Sequence, residues 1–345
     1  MPGDVASPSI PGIPERVLVA PDKFKGTFRA TEVAAAIGRG LEAAGCPPPD
    51  LCPVADGGDG TLEVLLTALG GEAGGADVTD ALGRPMHGGF GLVGGGAVGV
   101  VEVAEASGLA RIAPEDRDAE AASSYGTGQL IAAAVDAGAS VVLVAAGGSA
   151  TTDGGAGAIA AIEEAGGLRG ARLVVLTDVR TPFERAAEVF GPQKGADPDA
   201  VARLRERLDE FARQLPRDPR GVAMSGAAGG LAGGLWAAFD AVLEPGAAFV
   251  LGELGFDSRM RAARAVIVGE GRMDEQTLEG KIAGEIATRA RQAGVPCFAI
   301  VGRNDLDPFG ARILDLQRVL EAPTLEAAAS AGASLAPLLY PRAAP

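Results

Sequence analysis

Histidine is almost missing from this chain. His87 is the only one in 345 residues, and it lies in LGRPMHGGF, a turn-and-strand context where a lone imidazole reads as a strand-face side chain. Histidine-based hydrolysis and His-rich metal centres are therefore poorly supported. Cysteine is scarce too: Cys46, Cys52 and Cys297 are odd in number, widely spread and without C-x-x-C spacing. That pattern suits reduced thiols in a cytoplasm and offers neither a zinc site nor a disulfide framework. No apolar run reaches the roughly 18 residues of a membrane span. The opening MPGDVASPSIPGIPER lacks the basic start and apolar centre of a signal peptide and reads as a disordered tail. Basic charge is in deficit, and a net charge of −15 argues against nucleic acids and anionic membranes as partners. The first βα turn also lacks the G-x-G-x-x-G of a dinucleotide enzyme; GTGQLI at Gly126 to Ile131 begins like it, but no strand precedes it and the third glycine is absent.

Glycine, by contrast, is abundant at 52 residues, and three stretches place it where chemistry is expected. The apolar run Ala265 to Val268 reads as a buried strand breaking into Gly269, Glu270, Gly271, Arg272 and Asp274 before a helix near Thr277. Leu51 to Val54 runs into Ala55-Asp56-Gly57-Gly58-Asp59-Gly60-Thr61 and a helical pattern over Leu62 to Leu69. Val141 to Ala145 runs into Gly147-Gly148-Ser149-Ala150-Thr151-Thr152-Asp153-Gly154-Gly155 and then Ala156 to Ala165. In open parallel sheets ligands bind outside the carboxyl ends of strands, where glycines admit close backbone approach and helix N-termini offer free N–H groups. Equally, glycines make βα turns and Asp or Ser caps helices, so each loop alone has a purely structural reading.

Only four of the 30 basic residues are lysines: Lys23, Lys25, Lys194 and Lys281. Each lies at a glycine-containing turn, in DKFKG, FGPQKG or EGK. A compact ammonium serves phosphate sites as a point charge, so an acidic chain with Lys-Gly clusters points to a small anionic ligand.

Taken in order, RVLVA at Arg16 to Ala20 reads as the first strand, followed by a helix over Ala30 to Ala44 with Thr31 as a cap. Gly70 to Arg111 alternates and reads as about three short strands. Ser124-Tyr125-Gly126-Thr127-Gly128 opens a helix to about Ala137, a strand covers Leu173 to Leu176, and Pro198 to Leu215 is an amphipathic helix. The run from Gly226 to Gly234 reads as tight helix packing, with an anion-binding turn as the alternative. Glu279 to Ala293 reads as helix, Val295 to Val301 as the last strand, and Ala311 to Leu339 as mostly helix. The length favours two domains. Both ends have βα texture and the middle is irregular, so the expected fold is α/β: a Rossmann-like parallel-sheet domain from 16–72 plus 260–345, an inserted α/β domain at 73–259, and a tail at 1–15.

The combination resembles the bacterial two-domain glycerate kinase family. APDKFKGTFRATEVAAAI, PVADGGDGT, VVEVAEASGLARI, SYGTGQLI, AAGGSATTDGGAGA, TDVRTPF, FGPQKGA, GAAGGLAGGL and VGEGRMDEQTLEGKIAGEIA occur in the family's order from Val17 to Ala287. The chain departs from the family's usual pattern at Lys23 (Ser), Thr152 (Asn), Thr181 (Asn), Asp59 (Glu) and Ala283 (Pro).

The resemblance implies transfer of the γ-phosphoryl group from ATP, with Mg²⁺, to D-glycerate at its 2-hydroxyl. The 3-hydroxyl or a related hydroxy acid is the near alternative, and an NAD-dependent hydroxyacid dehydrogenase the distant one. For that reaction Asp274, then Asp178, are candidates to accept the hydroxyl proton, with Lys25 as a catalytic cation. Lys23, Ser149, Thr151, Lys194, Arg272 and Lys281, together with the backbones of Gly147, Gly148, Gly269 and Gly271, are candidates for substrate and phosphate. Asp56 and Asp59 are candidates for the metal, since Mg²⁺ takes one or two carboxylates and keeps waters. The small-molecule partner expected is D-glycerate, and a homodimer stays open.

Overall fold

The structure is a computed structural model, and it describes residues 15–24, 26–278 and 281–341. The expected tail therefore falls outside the described residues but for Glu15, as do Lys25, Glu279 and Gly280. Among the described residues the strands are β1 (Leu18–Pro21), β2 (Asp50–Leu51), β3 (Gly71–Thr79), β4 (Pro85–Val93), β5 (Val98–Glu102) and β6 (Val141–Ala145). They continue with β7 (Arg172–Thr177), β8 (Val242–Pro245), β9 (Val266–Met273), β10 (Cys297–Asn304) and β11 (Leu316–Glu321). None of the described helices is long and apolar enough to cross a membrane.

The chain divides into two compact units, one made by its two ends (up to Val54 and from Gly255) and one by Ala55–Leu254. The terminal unit holds a wholly parallel sheet in the order β11-β10-β9-β1-β2. Both faces of its centre are covered. Val17, Val19, Ala265, Ile267, Phe298 and Ile300 share a core with the helices Ala30–Ala43 and Leu325–Leu339. The alternate residues Leu18, Ala20, Val266 and Val268 are equally buried, which is why these strands read as unbroken apolar runs. Strand order reverses between β1 and β9. In a doubly wound sheet that reversal opens a crevice at the carboxyl ends, and the loop after Pro21 leaves beside Gly269 of β9.

The inserted unit has a six-stranded sheet, β3-β4-β5-β6-β7-β8, antiparallel from β3 to β5 and parallel from β5 to β8. Its main core joins Val101, Val142, Val144 and Val175 to Leu130, Ile131, Ile162, Leu231 and Leu235 of the helices on one face. Leu65 and Phe249 pack with Val100, Leu143 and Leu176 on the other.

Several sequence expectations change. The unit boundary lies at Val54/Ala55 rather than near Gly71 to Asp77, because the helix Thr61–Leu69 buries Leu65 on the inserted sheet. β2 is only Asp50–Leu51, earlier than the expected Leu51 to Val54. The helix Ala30–Ala43 is entered through Arg29, whose N–H donates to Glu32 Oε2 at 2.9 Å, so Thr31 is inside the helix and not its cap. Ala311 to Leu339 holds β11 between the helices Pro308–Ile313 and Leu325–Leu339; its polar, half-exposed LQRVLE pairs only with β10, at the sheet edge, and lacks the apolar run that marks a central strand.

Candidate active site

In the terminal unit, chemistry gathers where β9 ends. β9 does not break at Gly269, where its pairing with β1 ends, but continues to Met273 along β10 alone, so Gly269 and Gly271 are strand residues. A Cβ at Gly269 would sit 2.8 Å from the Ile300 carbonyl oxygen and 2.9 Å from Pro21 Cβ. Glycine is required there by strand packing. Continuation of the strand carries Glu270 into the interior, 6% exposed. Thr277 Oγ1 donates to Glu270 Oε1 at 2.7 Å and accepts the Asp274 N–H at 3.2 Å. Lys281 Nζ lies 3.2 Å from Asp274 Oδ1 and 3.8 Å from Glu270 Oε2. Burial lifts the Glu270 carboxyl to about 7, against the Thr277 hydrogen bond and the Lys281 charge, with Asp274 adding to the rise.

Asp274 is thus brought together with Lys281, and Arg272 stands beside it, 3.6 Å from Nε to Asp274 Oδ2. Arg272 is held more closely by Asp305, at 2.6 Å, which also takes Arg303 at 2.8 Å. Lys23 follows β1, its N–H donating to Asp22 Oδ1 at 2.7 Å, while the Asp22 N–H donates to the Gly269 carbonyl at 2.8 Å. Lys25 lies outside the described residues.

In the inserted unit two glycine loops meet. A Cβ on Gly147 would lie 2.6 Å from Gly58 Cα and 3.4 Å from the Asp59 nitrogen; side chains here would push the loops apart. Gly148 has φ +74° and brings the loop beside Asp59, whose Cβ is 4.0 Å from where its own would be. Asp56 turns its Oδ1 onto the Gly58 N–H at 3.0 Å. The loop Gly147 to Thr151 is pinned from both sides: the Leu109 N–H donates to the Gly148 carbonyl and the Ala150 N–H to the Ser107 carbonyl, each at 2.8 Å.

Lys194 dominates this unit's chemistry. It is 3% exposed, and its Nζ donates to Ser149 Oγ at 3.0 Å and to the Thr151 carbonyl. Among the described residues no carboxylate forms an ion pair with it. Burial pulls its ammonium down to about 7, while the Asp153 charge acts in the opposite direction. Ser149 and Thr151 are therefore joined to Lys194, and neither caps the helix Ala156–Glu164. Thr151 presents its carbonyl to the lysine, and its hydroxyl faces the Ala228 carbonyl at 3.4 Å. Asp153 serves the helix instead, accepting from Gly157 N–H at 3.2 Å and from the Ser124 hydroxyl at 2.8 Å. Asp178 is exposed just past the end of β7. The Gly226 to Gly234 run is close packing, as the composition suggested: a Cβ at Gly234 would lie 2.1 Å from the Gly154 carbonyl oxygen, and one at Gly229 1.9 Å from that of Thr151.

Glu270 and Thr277 are the residues that sequence reasoning did not single out. The available signal was a carboxylate directly following a buried β-branched run. For a metal, Asp56 and Asp59 supply hard oxygen donors, and no three His, Cys, Asp or Glu side chains converge among the described residues. Carboxylate oxygens are the donor chemistry that suits Mg²⁺.

Comparison with known proteins gives this geometry its context. The family model described as the glycerate kinase family matches residues 17–166 and 163–333. The glycerate kinase of Bacillus subtilis is 38% identical over 324 residues, covering 83% of this chain and 85% of its own. The glycerate 2-kinase of Escherichia coli is 33% identical over 326 residues, with the same two coverages of 83% and 85%. A crystallised Salmonella typhimurium LT2 protein described as a glycerate kinase 2 superposes with a TM-score of 0.80 at 32% identity, covering 94% of this chain and 98% of that one.

Proposed function

The chain belongs to the glycerate kinase family, and we propose on that footing that it transfers the γ-phosphoryl group of ATP to the 2-hydroxyl of D-glycerate, giving 2-phosphoglycerate and ADP. Lys194 is the observation that carries the reading. A lysine withdrawn from solvent among neutral oxygens, its ammonium disfavoured by burial, is stabilised in its charged form by an incoming anion, and phosphate is the anion a kinase brings.

The roles follow from the chemistry. Phosphoryl transfer requires alignment of donor and hydroxyl, neutralisation of phosphate charge, and a late acceptor for the hydroxyl proton. Lys194, with Ser149 and the Gly147-Gly148 backbone, takes phosphate oxygens. Asp56 and Asp59 would hold Mg²⁺, which when bound neutralises charge on the phosphate oxygens. Asp274 accepts the hydroxyl proton, with Asp178 as the second choice. Lys281, Lys23, Lys25 and Arg272 take the anionic groups of the substrates. The buried thiols of Cys52 and Cys297 are pushed up to about 11 and about 12 by burial, which leaves them unreactive. The three cysteines are free thiols, and we assign the cytoplasm as the setting on that ground.

Incubation with MgATP and D-glycerate, followed by coupled detection of ADP, tests the reading. ADP release that requires D-glycerate is the expected result. Release that is indifferent to D-glycerate, or that appears only with another hydroxy acid, would reassign the acceptor, and Lys23 is the residue that would then draw attention.

A further inference from the structure

Glu270 has no part in the roles above, yet β9 carries it deeper than any other carboxylate of this loop. It shares the strand face of Val266 and Val268, and Val301 of β10 is in register with it. Two charged groups among the described residues act on it: Asp274, and Lys281 at the start of the helix Ile282–Ala293. From the β1 side, Asp22 turns its carboxylate to its own loop, on the Lys23 N–H. Thr277, fully buried, ties the group together, donating to Glu270 and accepting from the Asp274 backbone. Lys281 thus stands between two carboxylates, one exposed enough to meet substrate and one enclosed.

We propose that Glu270 is a positioning residue, which through Lys281 sets how strongly the terminal unit holds an oxyanion of the substrate, the glycerate carboxylate or an ATP phosphate. The inference rests on the kinase reading for the identity of that oxyanion. Asp274 also has Arg272 beside it, itself held by Asp305 together with Arg303. With Glu270 protonated, Lys281 faces one ionised carboxylate, Asp274; with Glu270 ionised it is shared between two, and the cluster is one unit more negative. An incoming oxyanion therefore favours the protonated carboxyl, and its binding takes up a proton when the pH lies above the carboxyl's value of about 7.

The test is calorimetric titration at pH 8, in buffers of different ionisation enthalpy, of wild type and Glu270→Gln. The ligands are D-glycerate and, separately, a non-hydrolysable ATP analogue with Mg²⁺. Gln keeps an oxygen for the Thr277 hydroxyl and removes the titration. Wild type should take up more protons than the variant with one of the two ligands, by up to about one proton. The affinity for that ligand should fall about tenfold from pH 6 to 8.5 in wild type and much less in the variant. In steady-state kinetics the change should fall on the KM of that substrate. Uptake remaining in the variant belongs to Lys194. Equal uptake and equal pH dependence in the two proteins would overturn the proposal. If Glu270→Gln does not fold, Thr277→Val serves: loss of the hydroxyl donor should move the affinity inflection to higher pH, and an unmoved inflection would overturn the role. Binding linkage needs no turnover. Linkage with the ATP analogue but no D-glycerate-dependent ADP sustains Glu270 and overturns the acceptor; turnover without any Glu270-dependent linkage does the reverse.

Discussion

Lys194 and Glu270 are held in their less charged forms by the same cause, burial, and they tilt stability with pH in opposite directions. Lys194 is lowered from 10.5 to about 7. Between those values the unfolded chain binds a proton that the folded chain lacks, so stability rises with pH across that window. Glu270 is raised from 4.5 to about 7. There the folded chain holds the extra proton, and stability falls as pH climbs from 4.5 to about 7. Each slope amounts to a few kcal/mol, at about 1.4 kcal/mol per unit. Urea midpoints against pH should therefore show a minimum near neutrality. Lys194→Met should flatten the alkaline limb and Glu270→Gln the acid limb; limbs that survive both substitutions would place the titration elsewhere. Asp274→Asn keeps an oxygen for the Gln276 N–H, at 3.1 Å from Asp274 Oδ1, so the fold should persist while turnover drops by about two to four orders of magnitude, the usual loss when a general base is removed. Near-normal turnover would move the proton acceptor to Asp178.

At the scale of elements, the site depends on how closely loops approach one another. Gly147→Ala places a methyl 2.6 Å from Gly58 Cα, so it should part the Asp56–Gly60 and Gly147–Thr151 loops and weaken MgATP binding. Gly229→Ala meets the Thr151 carbonyl at 1.9 Å and at a φ of +68°, and Thr151 is a Lys194 partner. It should cost about 2 to 4 kcal/mol of stability, as backbone clashes and left-handed strain do, and raise the ATP KM as well. Unchanged urea midpoints would show that the loop yields. Both glycine loops were legible in the sequence because Asp and Gly cluster after apolar stretches, β-branched in Val141 to Ala145 and short in Leu51 to Val54. The end of β9 was not: Gly269-Glu270-Gly271 has the composition of a turn, and beyond Gly269, where β1 stops, only its pairing with β10 makes it a strand. β11 was missed for a related reason, since its polar LQRVLE is an edge strand supported by β10 alone. Burial of Lys194 had no local signal, because the residues enclosing it come from positions about 45 apart in sequence.

On the scale of the whole molecule, the α/β class and the return of both chain ends to one parallel sheet could be read from where the βα texture lies. The boundary could not, because assigning the helix Thr61–Leu69 to a unit depends on which sheet buries Leu65. A net charge of −15 also sets the chemistry in relief: an acidic protein whose few lysines stand at glycine loops concentrates its attraction for anions locally. The central claim is phosphoryl transfer to the 2-hydroxyl of D-glycerate, and phosphorus NMR of the product formed with MgATP tests it most directly. The account predicts the resonance of 2-phosphoglycerate, coupled to the C2 proton and appearing in step with ADP. A resonance coupled to the C3 protons, from 3-phosphoglycerate, would contradict it.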